Sequence, residues 1–78
     1  MVSQPLTISY DREGDILYVS KCEPYAGQSS EEIGDEIIAR LNPDSNAVES
    51  LEILFFSKRL MKGENLELPI EWDLKLVA

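Results

Sequence analysis

Residues 10–19 read YDREGDILYV. Two runs of aromatic and aliphatic residues flank a knot of charge, Asp11, Arg12, Glu13 and Asp15, with Gly14 inside it. Upstream, Leu6, Ile8 and Tyr10 alternate with Thr7 and Ser9, the period of two that marks a strand. Downstream, Ile16 to Ser20 form a second strand with apolar residues on both faces. The charges then fall at the tip of a hairpin, where water solvates them. Asp11 is placed to accept hydrogen bonds from backbone N–H groups two residues on, and Gly14 tolerates a positive φ. A short loop with glycine near its end is a common hairpin connection. The stretch thus bears on fold more than on chemistry.

Working outward, residues 21–35 (KCEPYAGQSSEEIGD) are punctuated by Pro24, Gly27, Ser29, Ser30 and Gly34 and read as a long loop. Within it, SSEE is suited to cap one short helical turn that Gly34 ends. Residues 36–41 (EIIARL) and 47–56 (AVESLEILFF) are strands joined by the turn NPDSN, so they form a second hairpin. SKRLMKG at 57–63 changes character. Ser57 is a good N-cap and Gly63 a good terminator, which predicts a short helix near 57–62 with Leu60 and Met61 turned inward. In the tail, Leu66, Leu68, Ile70, Trp72, Leu74 and Leu76 share one parity, and Glu67, Glu71, Asp73 and Lys75 the other. That alternation argues a half-buried strand, at an edge or broken at Pro69. A helix starting at Pro69 is the rival reading. The expected fold is α+β and β-rich: a four- to five-stranded, mainly antiparallel sheet of hairpins with one short helix.

Seventy-eight residues make one domain, 1–78, with an alternating tail at 64–78. A chain this short buries only roughly 60–65% of its unfolded surface, so it relies on good packing or self-association. Cys22 is the single cysteine and there is no histidine. Neither an internal disulfide nor a tetrahedral zinc site fits that composition, and no cofactor or metal is expected. A lone thiol suits the reducing cytoplasm, and no signal peptide or membrane span is visible. The net charge of −8 opposes binding to nucleic acid and favours a basic protein partner.

With these residues in view, the chain resembles a family of small, mostly bacterial domains of unknown function marked by a Y-D-x-E-x-D-x-L-Y segment. Here it stands as Tyr10, Asp11, Glu13, Asp15, Leu17 and Tyr18, followed by SLEIL at 50–54 and SKRL at 57–60, and the resemblance implies a family-like core at about 6–62. Gly14 and Ser50 depart from the family pattern, and residues from Glu64 onward have no counterpart in it. The resemblance implies a small β-rich fold without an assigned activity. Through members that accompany a small toxin-like protein, it also implies an acidic, antitoxin-like role.

The candidate functional residues are few. Asp11, Glu13 and Asp15, or Asp35 and Glu36, could serve general acid–base chemistry or a small ligand if a pocket separated their pKa values. The i, i+2, i+4 spacing of the first three is reminiscent of calcium loops but lacks enough oxygen ligands, so turn chemistry is the plainer reading. Glu23 beside Cys22 disfavours a reactive thiolate. Lys58, Arg59 and Lys62 could grip an anion or bridge to the acidic loop, and otherwise form a solvated helix face. Tyr25, Trp72 and Leu74 are candidate partner-binding anchors, against the alternative that Trp72 fills the core. The expectation is an interaction module, not an enzyme, that forms a homodimer through tail strands and takes a basic partner. A carboxylate-based enzyme or small-ligand domain is the alternative.

Overall fold

The computed structural model describes residues 5–63 and 65–77; Glu64 and Ala78, the ends of the expected tail, lie outside the described residues. Five strands, β1 (Thr7–Asp11), β2 (Ile16–Ser20), β3 (Ser29–Gly34), β4 (Ile37–Leu41) and β5 (Val48–Leu54), precede one helix, α1 (Phe56–Lys62). The sheet order is β1-β2-β5-β4-β3, and every neighbouring pair is antiparallel. Both expected hairpins, β1–β2 and β4–β5, are present, and the β-rich α+β class is as the pattern indicates.

Two elements differ from expectation. The second half of the expected loop is β3, a polar edge strand. Its serines and glutamates hide the strand because the outer edge of a sheet needs few apolar residues. The tail, conversely, is neither strand nor helix across residues 65–77. It bends at Pro69, where the Ile70 N–H donates to the Leu68 carbonyl at 2.8 Å. The tail still covers part of the sheet: Leu68, Ile70 and Trp72 pack against a core cluster of Ala39, Leu41 and Leu51, together with Val19, Ile33 and Val48. Alternation reported an apolar side correctly, but side-chain packing alone satisfies it. Leu74 and Leu76 continue the parity into solvent, at 66% and 100% exposure.

Register fixes which residues share the covered face. Tyr10, Leu17, Ile53 and Ile37 lie in one row across the sheet, and Ile8, Val19, Leu51 and Ala39 in the next. The opposite face carries Ser9, Tyr18, Glu52 and Ile38. There Arg40 pairs with Glu52 at 2.5 Å across β4 and β5. Because β3 lies beyond β4, residues 21–28 must cross the ends of β5 and β4, which accounts for their length.

The turns follow their local chemistry with one correction. Asp11 accepts the Glu13 N–H at 3.1 Å, and Asn42 Oδ1 accepts the N–H groups of Asp44 and Ser45. The positive φ of the first hairpin sits at Asp15 (57°), not at Gly14. A Cβ at Gly14 would lie 2.9 Å from Asp11 Oδ2 and 3.2 Å from Ile16 Cδ1, both ends of side chains that a small shift would move aside.

Helix α1 also departs from the prediction. It starts one residue early, and its N-cap is Phe55 in the left-handed region (φ 55°) with no side-chain cap of its own. Leu60 and Met61, expected to face inward, are 64% and 87% exposed.

The tail's contribution is measurable. Full removal of a buried Trp side chain costs about 3–5 kcal/mol, and Trp72 is half-buried, so Trp72→Ala is expected to cost about 2 kcal/mol in urea denaturation. Leu51→Ala, within the core cluster, is expected to cost about 2–5 kcal/mol.

Candidate functional site

The charged knot of the first hairpin builds the most connected polar site in the domain. Asp15 enters the turn with positive φ, which aims its carboxylate at the start of α1. Its Oδ1 accepts the Tyr10 hydroxyl at 2.5 Å and the Ser57 N–H at 2.9 Å, and its Oδ2 accepts the Ser57 hydroxyl at 2.8 Å. Its backbone carbonyl accepts the Phe56 N–H at 3.0 Å. The first N–H groups of a helix lack intrahelical partners, and Asp15 satisfies two of them from a distant hairpin. Ser57, expected as the N-cap, is a donor to the residue that does the capping. Tyr10 also meets the Phe56 ring, with centroids 6.0 Å apart.

Arg59 fastens the other side of the helix. Its Nε donates to the Leu54 carbonyl at 2.8 Å and its Nη2 to the Asp35 carbonyl, which ties α1 to the β3–β4 turn. Arg59 reaches the β3–β4 turn through a backbone carbonyl and not through the turn's carboxylates. Lys58 lies over the Phe55 ring at 5.3 Å, and Lys62 is exposed.

A second polar site forms at the far end of the sheet. Where β4 passes β5 the register slips, pairing Arg40 with Ser50 but Leu41 with Val48, so Glu49 is the extra residue of a bulge. Its carboxylate accepts the Tyr25 hydroxyl at 2.6 Å and the Gln28 side-chain amide at 3.1 Å, and its carbonyl accepts the Lys21 N–H at 2.8 Å. Glu49 therefore folds the 21–28 crossing around itself. Nothing in the sequence singled it out, because a bulge is a property of two strands in register.

The candidate anchors are placed as follows. Tyr25 spends its hydroxyl on Glu49 while its ring stays largely exposed. Trp72 packs on the core cluster, donates to the Val48 carbonyl at 3.4 Å and lies 5.8 Å from the Lys21 ammonium. Leu74 projects into solvent. Of the segment Tyr10, Asp11, Glu13, Asp15, Leu17 and Tyr18, the structure brings Tyr10 and Asp15 together, while Asp11 serves the turn. Leu17 and Tyr18 occupy opposite faces of β2.

Ionisation follows these bonds. The hydrogen bond from Tyr10, with those from Ser57, holds the Asp15 carboxyl below the usual aspartate range, and Tyr10 is raised in return. Tyr25 and Gln28 likewise hold Glu49 low, and the phenol of Tyr25 is pushed up to about 12. Burial, with Glu49 nearby, pushes the Cys22 thiol up, away from the thiolate form. The two displaced carboxylates thus move toward permanent charge, the opposite of a proton donor poised near neutrality.

Concavities among the described residues include the following pair. One, of about 350 Å³, is lined by Thr7, Ser20, Lys21, Cys22 and Glu23 with two prolines. The other, of about 240 Å³, is lined by Ser30, Glu31, Glu32, Glu36 and Ile38. Among the described residues, no group of three or more Cys, Asp or Glu side chains converges to hold a metal ion. No helix among them is long and apolar enough to cross a membrane.

In the unfolded chain Asp15 ionises near pH 4, and in the fold it stays charged to lower pH. Its stabilisation is complete above about pH 4 and is lost as pH falls through the lower folded value. Asp15→Asn is therefore expected to melt below the parent at neutral pH, with the gap narrowing in acid, when Tm is followed against pH. For Tyr25 the sign reverses. Its stabilisation is present below about pH 10 and lost as pH climbs to about 12, and Tyr25→Phe is expected to remove a phenolate absorbance step near that value.

A family profile described as a protein of unknown function, DUF2283, matches residues 7–57. Neither the curated proteins nor the solved structures yield a match. The matched span runs from the first residue of β1 to Ser57, enclosing both hairpins, Asp15 and the Ser57 it binds. With well over half of its length covered, the chain belongs to the DUF2283 family.

Proposed function

We propose that this domain is an acidic protein-binding module of the cytoplasm that associates with itself and takes a small basic protein as partner, in the manner of an antitoxin. The observation that carries the reading is apolar surface left in water on a strongly charged small domain. Ile8, Leu60, Met61, Leu74 and Leu76 are all more than half exposed, in a chain with fifteen acidic and seven basic residues. Scattered exposed apolar residues are ordinary on a protein surface. Five of this size on so short a chain suit contact with another protein. The acidic surface, including the cluster of Glu31, Glu32 and Glu36 at the β3 edge, would draw in a basic partner and repel polyanions.

The alternative, a carboxylate enzyme or small-ligand domain, draws less support. It calls for carboxyl groups raised toward neutral pH in a concave site. Asp15 and Glu49 shift the other way, each inside a hydrogen-bonded cluster that ties chain segments together.

Affinity purification of the tagged full chain followed by native mass spectrometry tests the proposal. The expected result is a multiple of the chain, or a complex with a small basic protein that dissociates as salt is raised. Recovery of a bare monomer at micromolar concentration, with no basic protein attached at low salt, would defeat it.

A further inference from the structure

The two edges of the sheet are not equivalent. An edge strand exposes unpaired N–H and C=O groups, and proteins guard such edges with charge, proline or bulges. β3 is guarded: Glu31 and Glu32 stand exposed at its centre, and its register with β4 shifts between Glu32 and Gly34. β1 is not. Residues 7–10 (TISY) carry no charge, proline or glycine, and their pairing with β2 runs unbroken from Thr7–Ser20 to Asp11–Ile16.

All five residues of β1 are exposed. Ile8 and Tyr10 lie on the face that the tail covers farther along the sheet; Tyr10 leans on Phe56 but keeps 43% exposure, and Ile8, at 64%, prolongs the apolar surface past its cover. In a chain of net charge −8, the neutral run 7–10 is also where two copies meet with least repulsion.

We infer that β1 pairs antiparallel with β1 of a second copy, about a twofold axis at Ser9, so that two sheets continue as one. This inference rests on the self-association proposed above and names its surface. The strand is self-complementary about Ser9. Ile8 falls opposite Tyr10 of the second copy, and Thr7 opposite Asp11, so both Ile–Tyr pairs lie on the apolar face and no like charges oppose each other. A basic partner finds no carboxylate along residues 7–10 to hold it there, and a second copy needs none.

Light scattering of the full chain at micromolar concentration is expected to give twice the 8.8 kDa chain mass. Ile8→Lys, at a largely exposed position, is expected to halve that mass with an unchanged circular dichroism spectrum. With Cys22→Ser removing the single native thiol, Ser9→Cys is expected to cross-link copies under mild oxidation. Directly opposed antiparallel residues stand about 4.5–5.5 Å apart at Cα, within disulfide range. Glu31→Cys, on the guarded edge, is expected to stay uncross-linked. A dimer that survives Ile8→Lys, or that cross-links through position 31 and not position 9, overturns the β1 pairing while self-association stands. A monomeric parent chain overturns both.

Discussion

A five-stranded sheet presents an apolar face that another layer must cover, and this chain has little to cover it with. The helix has seven residues and none of them is buried. The cover comes instead from Leu68, Ile70 and Trp72, three side chains on an irregular tail laid across Ala39, Leu41 and Leu51. Among the described residues the buried hydrophobic core is correspondingly small: Ile37, Ala39, Leu41, Leu51 and Ile53, all on the two adjacent strands β4 and β5. Toward β1 the cover gives out, and there the apolar face meets water.

Polar groups bind together what the small core does not. Asp15 couples the first hairpin to the helix that follows the last strand, and Arg59 couples the same helix to the β3–β4 turn. At the opposite end Glu49 gathers the crossing segment. Asp15 and Arg59 use side chains to satisfy backbone groups that regular structure leaves unpaired, whereas Glu49 holds the side chains of Tyr25 and Gln28 with its carboxylate and the Lys21 N–H with its carbonyl. The acidic residues thus divide into two kinds. A few are structural acceptors held in the charged form, and the remainder give the surface its sign. That division supports reading the domain as something that meets other proteins, because the carboxylates most changed by folding are already engaged.

How much of this was legible depended on range. Alternation in β1 and β5, and the apolar runs of β2 and β4 bounded by turn residues, are local signals, and those strands sit close to where the pattern puts them, β5 ending at Leu54 instead of Phe56. β3 has no alternation to read, since its serines and glutamates lie on an exposed edge, and its strand state comes from the ladder with β4. The tail shows the converse: its alternation is the cleanest in the chain, yet no strand lies beside it to make a ladder. Tyr10 and Asp15 were visible as a motif, but the partner that gives them a purpose, Ser57, lies 42 residues on from Asp15.

The sequence by itself determined the strand-rich class, both hairpins, the chemistry of their turns, the position of a short helix and the sign of the surface. These follow from side-chain periodicity, from turn propensities and from summed charge, all of which act over a few residues or over the whole chain without regard to topology. The tertiary structure decided the strand order, the edge position of β3, the bulge at Glu49, the capping of α1 by Asp15 and the laying of the tail across the core. Those depend on which backbone groups come to face each other in space, and hydrogen bonding between distant segments leaves no period in the sequence to read.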